Sequence, residues 1–306
     1  MKKIAILSLA SLLSLISFDR VENAYIPDTV SDLNTSYYSG TWSDYIANEW
    51  PTFTANTNAD RNILIEDYTG HKCGACPAAA IIAHDLHGDN PERVFIASIH
   101  AGPSPSGVVG FQTTDDTYTR DFTTPETKLY GGFFIDYGFF ANPMGNVNRT
   151  PYGPNNDGSE MFQLKDNWEA KTNEQLNAND LKIDIQATSN FYDDTQGGYI
   201  HTEVEFKEPL DGTYKIVAYI IQNEIIDKQL VNSTTVNDYS HKDVFTGTLD
   251  GQPWGQTIAI GSVDAGQLFN FDYSYGIPSG LSKDDVHFLI YVYDDATKEI
   301  LQVIKH

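Results

Sequence analysis

The sequence has few cysteines: Cys73 and Cys76 are the only two in 306 residues. A disulfide between them closes a very short loop, and in the chain-entropy model a short loop gives little stabilisation. Stabilisation of the fold by a disulfide is therefore a weak explanation for this cysteine pair. Two thiols this close together at the start of a predicted helix suit either the opening and closing of a disulfide or the binding of a metal ion.

Positive charge is also scarce. The chain has 19 Lys and Arg residues against 42 Asp and Glu residues, which gives a formal net charge of −23. Nucleic acids and anionic membrane surfaces repel a chain of this charge, so neither is expected as a partner. Solubility is the simplest reason for the acidic composition.

Several motifs of common enzymes are missing. The sequence contains no P-loop, no GxGxxG after a strand, no GxSxG and no HExxH. Nucleotide binding, serine hydrolysis through a nucleophile elbow and zinc proteolysis therefore have no support in the sequence. No cofactor is expected.

Long apolar runs are absent after the first 18 residues. Residues 4–18 form an apolar run behind Lys2 and Lys3, and this run is shorter than the roughly 20 residues of a membrane-spanning helix. It predicts a secretory signal peptide over residues 1–24, with Ser17 and Ala24 both open as its last residue. No cysteine follows the run, so a lipoprotein anchor is not expected. The chain is predicted to be exported to the periplasm or to the outer membrane or cell surface, where disulfides persist.

The first half of the mature chain has an α/β pattern. Residues 25–60 are polar and aperiodic, and they predict an extended N-terminal segment that either docks on the folded body through Trp42, Tyr45 and Trp50 or forms a loose linker. Residues 62–68 and 93–100 are short apolar runs on either side of a helical pattern that begins near Cys73. This order predicts a βαβ unit with parallel strands inside an α/β domain of residues 61–178.

The pattern changes after residue 178. About seven short segments of alternating apolar and polar residues follow, with turn residues between them. Such segments are typical of an antiparallel β-sandwich, so residues 179–306 are predicted to form an all-β domain.

The run ILIEDYTGHKCGACPAAA resembles the strand, active-site loop and helix of the thioredoxin superfamily. More specifically, the chain is similar to the twenty-eight-kilodalton outer membrane protein family of Bacteroidetes. Asn142 and Pro143 followed by GNVNR, and NDYSHKDVF at residues 237–245, support this resemblance. It implies a thioredoxin-like α/β domain followed by an immunoglobulin-like antiparallel sandwich, and association with the outer membrane.

The resemblance also implies four catalytic residues. Cys73 is expected to be the attacking thiol, because a helix N-terminus favours a thiolate, and Cys76 to be the resolving thiol. Pro143 resembles the cis-proline that faces the CxxC motif and shapes the substrate groove. Asp67, six residues before Cys73, resembles the buried acid that assists proton transfer, whereas Glu66 points to the opposite face of the strand.

Three functions remain open at this stage. The leading hypothesis is an exported thiol–disulfide oxidoreductase-like protein whose partners are exported or periplasmic proteins with thiols or disulfides. The alternative is a non-catalytic binding or adhesion protein at the cell surface, with the thioredoxin-like part as a scaffold. A minor alternative is copper or zinc handling through the two cysteines with His71 and His100, although a second CxxC motif is missing.

Overall fold

The structure is a computed structural model that describes residues 33–154 and 157–306. The predicted signal peptide, residues 1–24, and the start of the N-terminal segment lie outside the described residues. Within the described ranges the α-helices are α1 (Trp42–Asn48), α2 (Cys76–Asp89), α3 (Pro125–Phe133) and α4 (Trp168–Ala178).

The strands of the described residues form two sheets. The first eight strands in chain order are β1 (Ile63–Thr69), β2 (Val94–His100), β3 (Met144–Val147), β4 (Ile183–Tyr192), β5 (Gly197–Phe206), β6 (Leu210–Val231), β7 (Thr234–Thr248) and β8 (Gln256–Val263). They are followed by β9 (Leu268–Gly276), β10 (Val286–Asp294) and β11 (Ile300–Lys305). The larger sheet has the order β11-β10-β6-β7-β2-β1-β3, with β8 paired to β6, and the smaller sheet has the order β4-β5-β9.

The N-terminal part is a mixed α/β unit. Strands β1 and β2 are parallel and in register from Ile63 and Val94 to Thr69 and His100, as the βαβ pattern predicted. Every residue of both strands is buried, because helices cover one face and an aromatic core covers the other. The helix-side core consists of Ile63, Ile65, Ala79, Ala83, Leu86, Val94, Ile96, Val147 and Trp168.

The larger sheet continues from the first part of the chain into the second. Strand β7 lies beside β2, with Ser98 opposite Val244, and β6, β10 and β11 extend the sheet beyond it. The aromatic core therefore combines side chains from both sides of residue 178, including Tyr68 and Tyr219. The boundary between residues 61–178 and 179–306 stays a prediction, and the two parts share one sheet and one core.

The C-terminal part is largely β-structure, in agreement with the sequence pattern. The three strands of the smaller sheet pack face to face against strands of the larger sheet. The buried layer between them consists of Ile183, Ile185, Ile200, Val204, Phe206, Tyr214, Ile216, Ala218, Ile258, Val263, Phe271, Tyr273, Tyr275, Ile290, Val292 and Leu301.

The N-terminal segment is docked on the smaller sheet. Tyr45 is fully buried between Trp42, which stacks on it at 4.8 Å between ring centroids, and Tyr199 of β5. Its hydroxyl group lies 2.6 Å from Nε2 of His201, and Trp50 packs edge-on against the same imidazole ring. All three predicted docking residues thus take part in this aromatic cluster.

The β6–β7 hairpin is much longer than the sequence pattern indicated. The sequence pattern indicates a strand over residues 214–222 only, whereas β6 runs for 22 residues and β7 returns for 15. The outer half of the hairpin was not predicted because some of its buried positions are polar, including Gln229 and His241. An alternating apolar pattern therefore does not mark it.

A buried ion pair ties β1 to the second half of the chain. Nη2 of Arg149 lies 2.6 Å from Oε1 of Glu66, Nε lies 2.8 Å from Oε2, and both side chains are fully buried. The hydroxyl group of Tyr219 in β6 donates to the same carboxylate at 2.9 Å, and Asn146 donates to it at 2.8 Å. These bonds compensate the large cost of removing both charges from water.

We expect Arg149→Met to lower the free energy of unfolding by about 3–5 kcal/mol, because it leaves the Glu66 carboxylate buried without its counter-charge. Urea denaturation at neutral pH measures the change. The control is Lys283→Met, whose partner Asp193 is exposed; loss of a surface ion pair should cost less than about 1 kcal/mol. Equal losses in the two variants would contradict the assigned role of Arg149.

Candidate functional site

The two cysteines lie in the loop that joins β1 to α2. They form a disulfide with Cα atoms 5.4 Å apart. Helix α2 begins at Cys76, with Pro77 in its first turn, so Cys73 lies in the preceding turn and not at the helix start that the sequence predicted. The amide of Cys73 donates to the carbonyl of Gly70, and the amide of Cys76 donates to the carbonyl of Cys73. The pair is therefore held at the carboxyl end of β1.

The tip of the β6–β7 hairpin lies over this loop. The amide of Leu230 donates to the carbonyl of His71 at 2.8 Å, and the amide of Asn232 donates to the carbonyl of Gly74 at 2.7 Å. The side-chain amide of Gln229 donates to the carbonyl of Cys73 at 3.1 Å. With the tip in place, only 2% of Cys73 and 1% of Cys76 is exposed.

Gly74 permits the close approach of the hairpin. A Cβ atom on Gly74 would lie 2.1 Å from the carbonyl oxygen of Asn232 and 3.0 Å from its carbonyl carbon. Both are backbone atoms, so any larger residue would push the hairpin tip away from the loop. The glycine of the CxxC motif is thus required by packing.

Asp67 and Cys76 line one cavity between α2 and β7, with a volume of about 300 Å³. Oδ1 of Asp67 is buried and has no hydrogen-bond partner, and burial raises the pKa of this carboxyl group to about 7. Glu66 points to the opposite face of β1, where it pairs with Arg149. The remaining residues of the cavity are Thr69, Pro77, Ala80, Ile81, His84, Asp85, Ser98, His100, Gln229, Tyr239, Ser240, His241 and Lys242.

Two histidines of this cavity are held neutral. His100 is buried, its ring stacks on Phe122 at 4.4 Å between centroids, and neither ring nitrogen has a hydrogen-bond partner. Burial and the neighbouring His241 keep the pKa of His100 well below its usual value. Burial likewise lowers the pKa of His241 to about 4.

The ligand set considered for a metal ion is not brought together. His71 stacks on Tyr118, and its Nε2 lies 3.0 Å from the carbonyl oxygen of Thr113. Across residues 33–154 and 157–306, no group of three or more His, Cys, Asp or Glu side chains is placed to hold a metal ion. The neighbouring Lys72 directs its ammonium group to Asp115 at 3.1 Å.

Pro143 lies at the same edge of the sheet as the disulfide loop. The peptide bond between Asn142 and Pro143 is cis. In the β1–β3 register Met144 lies opposite Tyr68, so Pro143 reaches the carboxyl end of β1, from which the CxxC loop departs. The side-chain amide of Asn142 donates to the carbonyl of Tyr68 at 2.8 Å and fixes this turn.

Sequence reasoning did not find the residues contributed by the hairpin. Gln229, Leu230, Asn232 and His241 lie more than 150 positions after the CxxC motif, and no motif marks them. NDYSHKDVF at residues 237–245 was noted only as part of the family resemblance. It forms much of β7 and carries Tyr239 and His241 into the cavity.

Comparison with protein families decides the family. The model of the family described as outer membrane protein Omp28 matches residues 133–306, more than half of the chain. The chain belongs to the Omp28 outer membrane protein family. This agrees with the resemblance derived from the sequence, and the family description associates the protein with the outer membrane.

Solved structures extend the comparison to the N-terminal part of this Omp28-family protein. HBP35 of Porphyromonas gingivalis matches with a TM-score of 0.56 and 15% identity over 82% of this chain and 76% of the other. At this identity the likeness bears on the fold alone. A protein of Agrobacterium tumefaciens matches with a TM-score of 0.48 and 14% identity, over 81% of this chain and 95% of the other. A domain of the outer membrane lipoprotein Omp28 from P. gingivalis matches with a TM-score of 0.28 and 20% identity, over 41% of this chain and 86% of the other.

A search of curated proteins gave no match. Among the residues that the structure describes, none of the helices has the length and apolar character needed to cross a lipid bilayer.

Because burial raises the pKa of Asp67 to about 7 from an ordinary value of 3.8, this side chain should make stability depend on pH. The folded state binds the Asp67 proton more tightly than the unfolded state does. The contribution of this proton to the free energy of unfolding is therefore fully present below pH 3.8, and it is lost as the pH rises through 7. Relative to Asp67→Asn, we expect the free energy of unfolding to fall by about 4 kcal/mol across that range, since one pKa unit corresponds to about 1.4 kcal/mol. Urea denaturation of both oxidised proteins at several pH values measures this difference. Parallel pH curves would show that the carboxyl group titrates normally.

Proposed function

We propose that this Omp28-family protein is an exported thiol–disulfide oxidoreductase-like protein that uses the Cys73–Cys76 pair. The observation that carries the proposal is the cavity that both Cys76 and Asp67 line, since one oxygen of the buried Asp67 carboxyl group has no hydrogen-bond partner among the described residues and its pKa is about 7. Such a group can accept or return a proton near neutral pH. Proton transfer of this kind converts a thiol into the thiolate that reacts with disulfides.

In the proposed reaction, the Cys73 thiolate of the reduced protein attacks a disulfide in an exported or periplasmic protein. One sulfur of the substrate leaves as a thiolate, and a mixed disulfide with Cys73 forms. Cys76 then transfers its proton to the Asp67 carboxylate and attacks the sulfur of Cys73. This step restores the Cys73–Cys76 disulfide and releases the second substrate thiolate. Pro143 borders the groove in which the substrate lies.

The hairpin tip controls this reaction, because it covers the side of the loop from which a protein substrate would approach. The carbonyl groups of His71 and Gly74 already accept hydrogen bonds from the hairpin. A bulky substrate reaches Cys73 only when these bonds break and residues 229–232 move away. The free energy needed to move the hairpin tip away therefore adds to the activation free energy of thiol–disulfide exchange with a protein substrate.

The proposal includes the architecture and location implied by the family resemblance. Residues 61–178 form the thioredoxin-like part, and residues 179–306 form an immunoglobulin-like sandwich that orients it or binds the partner. The protein acts in the periplasm or at the outer membrane.

A second candidate function is a cell-surface binding or adhesion protein whose α/β part is a scaffold. The near-complete burial of both cysteines favours it, because a sealed disulfide is a fixed cross-link and not an exchanging one. Copper or zinc handling is not taken further, since the histidines named for it do not meet the cysteines as a ligand group in the described residues.

Insulin reduction by dithiothreitol separates the two candidates. We expect the wild-type protein to accelerate the reaction and Cys73→Ser to show only the background rate. Asp67→Asn should slow the reaction by about 10²-fold at neutral pH, as expected for loss of an acid–base group. Gly88→Ala serves as the control, because an added Cβ there meets open space. Identical background rates in wild type and Cys73→Ser would support the scaffold function instead.

Gly74→Ala tests whether the hairpin controls access. The added Cβ collides with the backbone of Asn232, so the hairpin tip must move outward. We expect reduction of the disulfide by reduced thioredoxin to become about tenfold faster, because the rate of exchange depends on access to the sulfur. Alkylation of the released thiols followed by mass spectrometry measures the rate. The equilibrium reduction potential serves as a second readout. If Gly74→Ala changes the reduction potential enough to account for the whole change in the rate of reduction, control by the hairpin is contradicted.

A further inference from the structure

The cavity beside Cys76 provides a separate approach to the disulfide. It lies between α2 and β7, and several of its lining residues are exposed, among them Ile81, Asp85 and Lys242. The hairpin tip lies over the loop side, where Leu230 and Asn232 bind the backbone around Cys73. The two cysteines of the pair therefore have different surroundings.

The size of the cavity limits what it admits. Its volume of about 300 Å³ is at the lower end of the range of about 300–1,000 Å³ found for small-molecule sites. This space accommodates a molecule of amino-acid size. A folded protein that presents a disulfide on a loop does not fit between the helix and the strand.

Two residues that line the cavity, Asp67 and His100, carry polar atoms that have no hydrogen-bond partner among the residues the structure describes. Oδ1 of Asp67 and both ring nitrogens of His100 are buried and unpaired. Leaving a buried polar group without a partner costs about 1–3 kcal/mol. Because both residues line the cavity, a polar ligand bound there is suited to pair with these groups.

The rim of the cavity carries charges of both signs. Asp85 and Lys242 are exposed and line the same cavity. A carboxylate attracts an ammonium group and an ammonium attracts a carboxylate, so the pair matches a zwitterion. This complementarity distinguishes an amino-acid thiol from an uncharged thiol of similar size.

We propose that this cavity binds a small zwitterionic thiol of the cysteine class, or its disulfide, and exchanges it with Cys76. The inference rests on the proposed function, and it names the class of small molecule that reduces or oxidises the pair. Exchange with this molecule does not require the hairpin to open.

The reaction balances with two molecules of the small thiol. The first, as a thiolate after passing its proton to the Asp67 carboxylate, attacks the sulfur of Cys76, and the bond to Cys73 breaks to release a Cys73 thiolate. A second small thiolate attacks the outer sulfur of the mixed disulfide. The products are the small-molecule disulfide and the Cys76 thiolate, so two electrons pass from the small thiols to the protein. The reverse sequence oxidises the protein.

Two tryptophan substitutions on α2 test the route. Ala80 lines the cavity, whereas Ala78, on the same helix, is exposed and does not. We expect Ala80→Trp to slow reduction of the disulfide by L-cysteine at least about tenfold and Ala78→Trp to change it less than about twofold, because access to sulfur governs the rate. Circular dichroism and urea denaturation verify that both variants fold.

Lys242→Ala provides a second test that leaves the cavity open. After correction for thiolate concentration, wild type should react faster with L-cysteine than with cysteamine, which lacks the carboxylate. Lys242→Ala should remove this preference without slowing the reaction with cysteamine. Equal reactivity of the two thiols with wild type would overturn the assignment of a zwitterionic ligand.

The outcomes separate this inference from the proposed function. If cysteine, dithiothreitol and reduced thioredoxin all fail to reduce the folded wild-type protein, the proposed function fails. If they reduce it but Ala80→Trp leaves the rate with cysteine unchanged, the cavity route alone fails. As an independent check, cystine should label Cys76 in Cys73→Ser faster than Cys73 in Cys76→Ser, and the opposite order would also overturn the route.

Discussion

The buried ion pair between Glu66 and Arg149 is the interaction on which the arrangement of the chain depends. Glu66 belongs to the strand that leads into the CxxC loop, Arg149 follows β3, and Tyr219 in β6 completes the carboxylate's hydrogen bonds. A buried carboxylate and a buried guanidinium tolerate little displacement, because either one alone is very costly in the interior. The pair thus fixes β6 relative to β1, and with it the base of the hairpin that reaches the disulfide.

The side chains of β1 alternate between its two faces, so its two acidic residues lie in different surroundings. Glu66 faces the shared aromatic core and is compensated by a cation, whereas Asp67 faces α2 and is compensated by none. The first pairs with Arg149 and accepts a hydrogen bond from Tyr219, and so holds the two halves of the chain together. The second has a pKa near 7, which gives it a proton to exchange beside Cys76. In the proposed function, adjacent carboxyl groups on one strand therefore serve structure and chemistry separately, because the strand turns successive side chains to opposite faces.

Local sequence predicted the parts of the fold whose signals are local. The βαβ unit followed from apolar runs and a helical pattern, and a largely β C-terminal part followed from alternation. Residues 118–130 have a sequence compatible with a helix, whereas α3 begins only at Pro125, where Thr124 forms a capping box with Thr127. Apolar residues at roughly helical spacing run from residue 159 to 176, whereas α4 begins only at Trp168. The site could be predicted only where its residues surround the CxxC motif, since Gln229 and His241 are polar residues buried by distant chain segments.

The position of the hairpin gives the two cysteines of the CxxC motif different surroundings. In a loop open to solvent, the two sulfurs differ mainly in their place relative to the helix. Here the backbone bonds of Leu230 and Asn232 close the side of the loop next to Cys73, while Cys76 adjoins the cavity that Asp67 and His100 also line. In the proposed function, reactivity is then set by which surface a partner can enter, as well as by the intrinsic properties of each thiol. Because Gly74 allows the hairpin to approach within contact of the loop, this selectivity is encoded in the motif itself, one residue after Cys73.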